Sequence, residues 1–326
     1  MAFKVLASTR FFDDEAEKFL QDNGCEVVRT DLPYDVQDDT LDAETLFRLL
    51  EGVDGWIVGT APATRELMLR LPDLKVIARR GVGYDTVDVE AARDLGRRVT
   101  IAPGGNEPSV ADHALAMMLA VGKRLREGHL AIEGGRWSPL VGTELFEKTV
   151  GLVGFGRIAQ AVARRTRGFD AKILAYDPFP NHEAATAVGA RFVDFAELLA
   201  QSDYVSLHLP LSEKTRRMFD RETIAKMKRG AILINTSRGG LIDEDALAEA
   251  LKSGHLGGAG LDVFEGEADP ACHPKILELI GLPTVIASAH AAGSSGEGLA
   301  RTNMIAARTV LDLLSGRPVP PQCIVV

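Results

Sequence analysis

The stretch Thr149-Val150-Gly151-Leu152-Val153-Gly154-Phe155-Gly156-Arg157-Ile158-Ala159 decides how the rest of this chain is read. Five apolar or small residues give a buried strand, two glycines give a turn, and a helical pattern follows to about Arg167. Lys172-Ile173-Leu174-Ala175-Tyr176 is the next strand, and it ends in Asp177. Strand, glycine turn, helix, strand and acid form one βαβ unit. Glycine pairs commonly serve plain turns, so the weight lies in this setting and not in the glycines alone. Gly154 permits the tight turn, and Gly156 lets the backbone approach a pyrophosphate. Ala159 stands where a third small residue is needed for helix–strand contact. The helix start at Arg157-Ile158 offers free N–H groups and a positive dipole end to phosphate. Asp177 accepts hydrogen bonds from an adenosine ribose and repels a 2′-phosphate. The expected cofactor is therefore NAD rather than NADP.

Working outward, short apolar runs alternate with amphipathic segments. Strand-like runs are Phe3–Ala7, Gly55–Val58, Lys75–Ala78, Val99–Ile101, Thr149–Val153, Lys172–Tyr176, Tyr204–Leu207, Ala231–Asn235, Ala259–Val263 and Thr284–Ser288. The alternation predicts an α/β protein with parallel sheets covered by helices on both faces. The glycine turn lies far from the start, so a separate βα domain of about 100 residues precedes the nucleotide domain. The expected division is a substrate domain at 1–100, a Rossmann nucleotide domain at 101–290, and a return of 291–326 to the first domain. A long helix is expected from Ser109, as N-cap, to about Glu133, stopped by Gly134-Gly135. A second is expected from about Glu297 to Leu314.

The 326 residues carry a net charge of −9, which disfavours nucleic acid and anionic membrane as partners. Cys25, Cys272 and Cys323 are scattered without metal-ligand spacing, so neither a disulfide framework nor a metal site is expected. No secretory signal pattern opens the chain, and no apolar run approaches the length of a membrane span. The expected location is the cytoplasm.

Three further strand ends run into polar loops, and in open α/β sheets such ends face the ligand crevice. Ile234-Asn235-Thr236-Ser237-Arg238-Gly239-Gly240 places one arginine where its fork can clamp a carboxylate. Gly260-Leu261-Asp262-Val263-Phe264-Glu265-Gly266-Glu267 places acids past a strand, and Ile286-Ala287-Ser288-Ala289-His290 places a histidine past another. Hydride transfer at an alcohol carbon needs a base for the hydroxyl proton, and histidine titrates in the right range. Singly, each residue has a structural reading: a lone histidine packs, and acids after strands cap helices.

Together these segments resemble the D-isomer-specific 2-hydroxyacid dehydrogenase family, which includes phosphoglycerate dehydrogenase and glyoxylate/hydroxypyruvate reductase. The resemblance covers nearly the whole chain. It runs through Gly81-Val82-Gly83-Tyr84-Asp85-Thr86-Val87-Asp88, Asn106 with Val110-Ala111-Asp112-His113, the glycine turn with Asp177, and His208-Leu209-Pro210-Leu211. It continues through Asn235-Thr236-Ser237-Arg238-Gly239, the Asp262–Glu267 segment and His290-Ala291-Ala292-Gly293. It implies Arg238 as substrate clamp, His290 as acid/base and Glu267 as the histidine's partner. It implies Asp262 against the nicotinamide carboxamide, with Leu209, Pro210, Thr215, Thr236, Ser237 and Gly293 lining the cofactor. Val82 and Gly83 would offer N–H groups to the substrate carboxylate, with Asn106 nearby. The resemblance also implies a discontinuous, flavodoxin-like substrate domain, a homodimer formed through the nucleotide domains, and a small 2-hydroxy or 2-oxo acid as substrate.

Two departures bear on the site. Ser288-Ala289 stands where many relatives have Thr-Pro, which predicts a looser loop. The loop Gly59-Thr60-Ala61-Pro62-Ala63-Thr64 lacks the basic residue common in phosphoglycerate members, leaving Arg65, Arg79 or Arg80 to meet a phosphate. The expected reaction is hydride transfer between NAD(H) and carbon 2 of a small 2-oxo or 2-hydroxy acid. Phosphoglycerate oxidation, an NAD-sensing corepressor of the C-terminal-binding protein type and phosphite oxidation stand as alternatives on the same scaffold, the corepressor disfavoured by the compact length.

Overall fold

A computed structural model describes residues 2–30, 32, 36–267 and 269–326. The chain divides into two compact units, Met1–Asn106 with Ser294–Val326, and Glu107–Gly293. The divisions fall after Asn106 and after Gly293, where the sequence set them after residues 100 and 290.

The first unit is built on strands β1 (Lys4–Ala7), β2 (Glu26–Arg29), β3 (Gly55–Val58), β4 (Val76–Arg79) and β5 (Arg98–Thr100). They form one parallel sheet in the order β2-β1-β3-β4-β5, the flavodoxin-like order. Helices α1 (Asp14–Asp22), α2 (Ala43–Leu50), α3 (Arg65–Leu69) and α4 (Val89–Asp94) connect them. Each begins at a side-chain cap: Asp13, Asp42, Thr64 and Asp88 accept from the N–H three residues on. Each cap contributes about 1 kcal/mol. Alternate strand residues face opposite sides of the sheet. Leu6, Trp56, Val58 and Ile77 join one buried cluster, and Val5, Ala7, Ile57 and Val76 join the other.

The second unit holds β6 (Thr149–Val153), β7 (Lys172–Tyr176), β8 (Ala190–Phe192), β9 (Tyr204–Leu207), β10 (Ile232–Asn235), β11 (Gly258–Leu261) and β12 (Val285–Ala287). The order β12-β11-β10-β9-β6-β7-β8, all parallel, is a Rossmann sheet with one added edge strand. The topology reverses between β6 and β9, so ligands bind beyond their carboxyl ends. The helices are α5 (Glu107–Gly122), α6 (Leu125–Glu133), α7 (Arg157–Thr166), α8 (His182–Val188), α9 (Phe195–Gln201), α10 (Arg221–Ala225), α11 (Glu244–Lys252) and α12 (His273–Gly281). The chain then returns to the first unit as α13 (Gly296–Leu314), whose Ala306, Ala307, Val310 and Leu311 pack with Val5 and Val76. No helix among the described residues is long and apolar enough to cross a membrane.

Two expectations fail locally. The long helix is two helices, broken where Arg124 takes a left-handed conformation at φ 54°. Ser109 is not its N-cap but lies buried inside α5, which starts at Glu107. Pro108 is compatible with a first helical turn, where its missing N–H has no intrahelical partner. Strands β2 and β8 were not anticipated. Both are sheet edges of three or four residues with charged or partly exposed positions, so neither gives a continuous apolar run.

Candidate active site

The glycine turn follows β6 at the switch point. Gly154 has φ +85°, and a Cβ there would lie 2.5 Å from the His208 carbonyl oxygen, so only glycine fits. Its N–H donates to the Tyr176 carbonyl at 2.8 Å, which ties the turn to the end of β7. Gly156 caps α7 without a side-chain hydrogen bond, and the space where its Cβ would stand is open. Arg157 and Ile158 open the helix. Asp177 accepts from the Phe155 N–H and the Phe179 N–H, each at 2.8 Å, one on each carboxylate oxygen. No other hydrogen bond to this carboxylate is made among the described residues. Thr236 Oγ1 is buried and has no hydrogen-bond partner among the described residues. A bare helix start, an open glycine face and a fixed acid at the next strand fit a dinucleotide. Thr215 does something more local: its hydroxyl donates to the Pro210 carbonyl at 2.7 Å and accepts from the Ser212 N–H, closing the turn after Leu209. Burial pushes the His208 imidazole, which has no hydrogen-bond partner among the described residues, down to about 3, so it stays neutral beside the turn.

Arg238 follows β10. Asn235, fully buried at the strand end, accepts from the Ser237 N–H at 3.0 Å and donates to the Arg238 carbonyl at 2.8 Å. Ser237 donates its hydroxyl to the Leu207 carbonyl at 2.7 Å. These bonds fix the turn that presents Arg238. Gly239 is the second position where glycine is required. A Cβ there would stand 1.9 Å from the Phe264 carbonyl carbon, so the Arg238 turn and the loop after β11 touch backbone to backbone.

The acids after β11 separate by partner. Glu265 pairs with Arg216 and Arg217, each at 3.1 Å. Glu267 Oε1 meets His290 Nδ1 at 2.5 Å, and its Oε2 accepts from the Phe264 N–H at 2.9 Å. Burial pushes the Glu267 carboxyl up, but the bond to His290, the Phe264 N–H and the charge of Arg238 outweigh it and hold it below its ordinary value. His290 is raised, first by the hydrogen bond to Glu267, against opposing burial and the nearby Arg238 charge. Its Nδ1 is committed to Glu267, so Nε2 is the nitrogen left to exchange a proton. Arg238 acts electrostatically on both members of the pair.

Asp262 is 0% exposed and braces the histidine loop. Its Oδ1 accepts from the Ala291 N–H at 2.8 Å and the Ser288 hydroxyl at 2.5 Å, and its Oδ2 from the Ala292 N–H at 2.9 Å. The His290 N–H donates to its main-chain carbonyl at 2.7 Å. His290 itself has φ 50°, a left-handed conformation that costs a non-glycine residue about 1–2 kcal/mol. The loop without proline is thus held by hydrogen bonds, up to Gly293 at the end of the unit.

In the first unit, Val82 and Gly83 follow β4, and neither N–H donates to any group among the described residues. Arg79 is turned inward, donating to the Gly83 carbonyl at 2.9 Å and the Val58 carbonyl at 3.2 Å. Buried Asp38 fills the loop after β3, accepting from the Gly59, Thr60 and Ala61 N–H groups and from Ser8 and Thr60 hydroxyls. Arg65 pairs with Asp94 on the surface. Arg80 donates from Nε to Thr9 at 2.7 Å, and its terminal nitrogens have no partner among the described residues. Asn106 ends the unit's first segment. Asn235, Ser288 and Asp38 were missed as organising groups. An Asn-x-Ser after a strand is a legible turn signal, whereas nothing in the sequence places Asp38 against residues 59–61.

Residues 115–292 match the family model for the D-isomer specific 2-hydroxyacid dehydrogenase NAD binding domain. The chain is 40% identical over 273 residues to a hydroxypyruvate reductase of Thermotoga maritima, covering 83% of this chain and 88% of that one. It is 40% identical over 282 residues to a D-3-phosphoglycerate dehydrogenase of Mycobacterium leprae, covering 86% of this chain but only 52% of that longer protein. A solved protein of Thermus thermophilus superposes with a TM-score of 0.86 at 38% identity, over 99% of this chain and 100% of that one. With its NAD-binding sheet, the chain belongs to the D-isomer specific 2-hydroxyacid dehydrogenase family, NAD-dependent oxidoreductases that interconvert 2-hydroxy and 2-oxo acids.

Proposed function

We propose that this chain reduces small, unphosphorylated 2-oxo acids such as glyoxylate and hydroxypyruvate, with His290 as proton donor and Arg238 as carboxylate clamp. The observation that carries this reading is the Glu267–His290 bond of 2.5 Å beside Arg238, at the carboxyl edge of the nucleotide sheet. NADH supplies the hydride to carbon 2 when bound. Gly154, Gly156, Arg157 and Ile158 cradle its pyrophosphate, and Asp177 holds the ribose. Leu209, Pro210, Thr215, Thr236, Ser237, Asp262 and Gly293 line or brace the rest. The Arg238 fork takes the substrate carboxylate, and Val82, Gly83 and Asn106 are the substrate-binding residues proposed in the first unit. His290 Nε2–H then protonates the forming alkoxide at O2, and Glu267 stabilises the imidazolium before that transfer. In the oxidation direction His290 is neutral and takes the hydroxyl proton.

The choice of an unphosphorylated substrate rests on the loop after β3. Its amides are committed to Asp38, its nearest cation Arg65 is paired on the surface, and Arg79 is turned inward. Arg80, whose terminal nitrogens make no hydrogen bond among the described residues, favours a second reading, a phosphorylated substrate. NADH consumption against glyoxylate, hydroxypyruvate, phosphohydroxypyruvate and longer 2-oxo acids separates the two. The first reading expects kcat/KM highest for glyoxylate or hydroxypyruvate. A preference for phosphohydroxypyruvate establishes the second, and turnover on phosphite with NAD alone sinks both.

Asp177→Ala is expected to raise the NADP-to-NAD ratio of kcat/KM by at least about tenfold, because it removes the charge that repels a 2′-phosphate. An unchanged ratio contradicts the ribose role. A homodimer is supported by the second unit's exposed apolar segment. It includes Leu125, Leu130, Ile132 and Phe146, with Trp137 83% and Val141 89% exposed. Monomers rarely leave such a patch in water. Light scattering should return twice the chain mass, and a monomer at micromolar concentration contradicts the proposal. Cys25, Cys272 and Cys323 form no disulfide among the described residues, and two of them are buried, which supports placement in the reducing cytoplasm.

A further inference from the structure

His113 lies on α5, which crosses beneath β10 and β11, and its imidazole reaches the loop that carries His290. Its Nε2 is 2.8 Å from Ser288 Oγ and 3.7 Å from Asp262 Oδ1. The direction of these bonds can be assigned. A serine hydroxyl has one proton, and the Asp262 carboxylate, an acceptor only, takes it. Ser288 must therefore accept from His113, which fixes the proton on Nε2 of His113. The same Asp262 oxygen accepts the Ala291 N–H, and the Asp262 carbonyl accepts the His290 N–H. A continuous path runs from a helix, through a hydroxyl and a buried carboxylate, to a histidine held at φ 50°.

We propose that His113 and Ser288 are positioning residues for the reaction. Their hydrogen bonds orient the Asp262 carboxylate, and Asp262 holds the left-handed backbone that aims His290 at Glu267 and at the substrate. This rests on the reading of His290 as the acid/base. A left-handed histidine relaxes unless its loop is over-determined, and here one carboxylate supplies most of that restraint. With the loop relaxed, His290 moves off Glu267. The charged groups that act on it are Glu267, Arg238 and Asp262, and loss of the Glu267 bond leaves burial and Arg238 opposing its protonation. Displacing the acid by about 1 Å costs on the order of a hundredfold in rate.

The test compares Ser288→Ala, Ser288→Thr, His113→Leu and His113→Gln with the wild-type chain and with His290→Ala. Ser288→Ala and His113→Leu are expected to lower kcat for reduction about ten- to a hundredfold. Both should move the alkaline limb of the kcat profile to lower pH. Ser288→Thr keeps the hydroxyl and His113→Gln keeps a donor, so both should stay near wild type. Wild-type kcat and an unmoved limb in Ser288→Ala and His113→Leu overturn the proposal. So does a loss of kcat that tracks a lowered Tm without moving the limb, which is plain structural damage. If His290→Ala keeps wild-type turnover, the acid/base reading itself fails. An inert His290→Ala beside an unaffected Ser288→Ala overturns only the positioning role.

Discussion

Replacing His290 by alanine is expected to lower kcat for 2-oxo acid reduction by about a hundred- to ten-thousandfold while NADH still binds. In the proposed reaction the side chain donates the proton to the forming alkoxide, and Glu267 lies 2.5 Å from its Nδ1, leaving Nε2 for the transferable proton. Of the proposed dinucleotide residues, Gly154 and Gly156 follow β6, Asp177 follows β7 and Thr236 follows β10, whereas Asp262 and Gly293 belong to or brace the His290 loop. Replacing His290 by alanine removes only the imidazole and keeps the main-chain N–H that donates to the Asp262 carbonyl, so these residues are expected to stay in place. Fluorescence titration with NADH should return the wild-type Kd, and stopped-flow turnover should be nearly absent. Wild-type turnover in this variant contradicts the assignment.

The second large effect is a pH shift. Glu267 is the first cause of the raised His290 pKa, and burial and Arg238 push the other way. Replacing Glu267 by glutamine removes the charge and the acceptor's strength. The His290 pKa must then fall. Reduction needs imidazolium, so its alkaline limb moves to lower pH. Above the pKa, each unit of fall costs about tenfold in the protonated fraction. Oxidation needs neutral imidazole, so its acid limb also moves to lower pH. The expected result at about pH 8 is a reduction rate lower by about tenfold to a hundredfold, with recovery on acidification. Unmoved limbs in both directions contradict the role given to Glu267.

The nucleotide half of the fold was legible because its signals are local. One buried strand, two glycines and an acid at the next strand end carry their meaning within about thirty residues. The late position of that turn also told of a preceding domain. The buried central strands were visible as apolar runs, whereas edge strands β2 and β8 were not, since a strand with one neighbour need not be apolar. The break at Arg124 was hidden for a related reason: a left-handed residue that is not glycine leaves no compositional mark.

The site was legible as a set of residue types at strand ends, and less so as a set of partners. The residue pattern alone put Asp262, Glu265 and Glu267 in one segment, and only the family resemblance pointed to Glu267 as the partner of His290. Distance separates them, sending Glu265 to Arg216 and Arg217, Glu267 to His290 and Asp262 to the backbone of the loop. Ser288 looked like the mark of a loosened loop. Its hydroxyl is instead a link between His113 and Asp262, a contact across 175 residues on the histidine side that no local pattern could reveal.

Hydride transfer to carbon 2 of a small 2-oxo acid is the reaction proposed for this site. Incubating the wild-type chain with glyoxylate or hydroxypyruvate and NADH deuterated at the transferable position tests it most directly, with the product examined by mass spectrometry and NMR. One deuterium on carbon 2 of the 2-hydroxy acid, formed mole for mole with NAD, is the predicted result. Cofactor oxidation with no deuterium at carbon 2, or no oxidation with any 2-oxo acid, contradicts it.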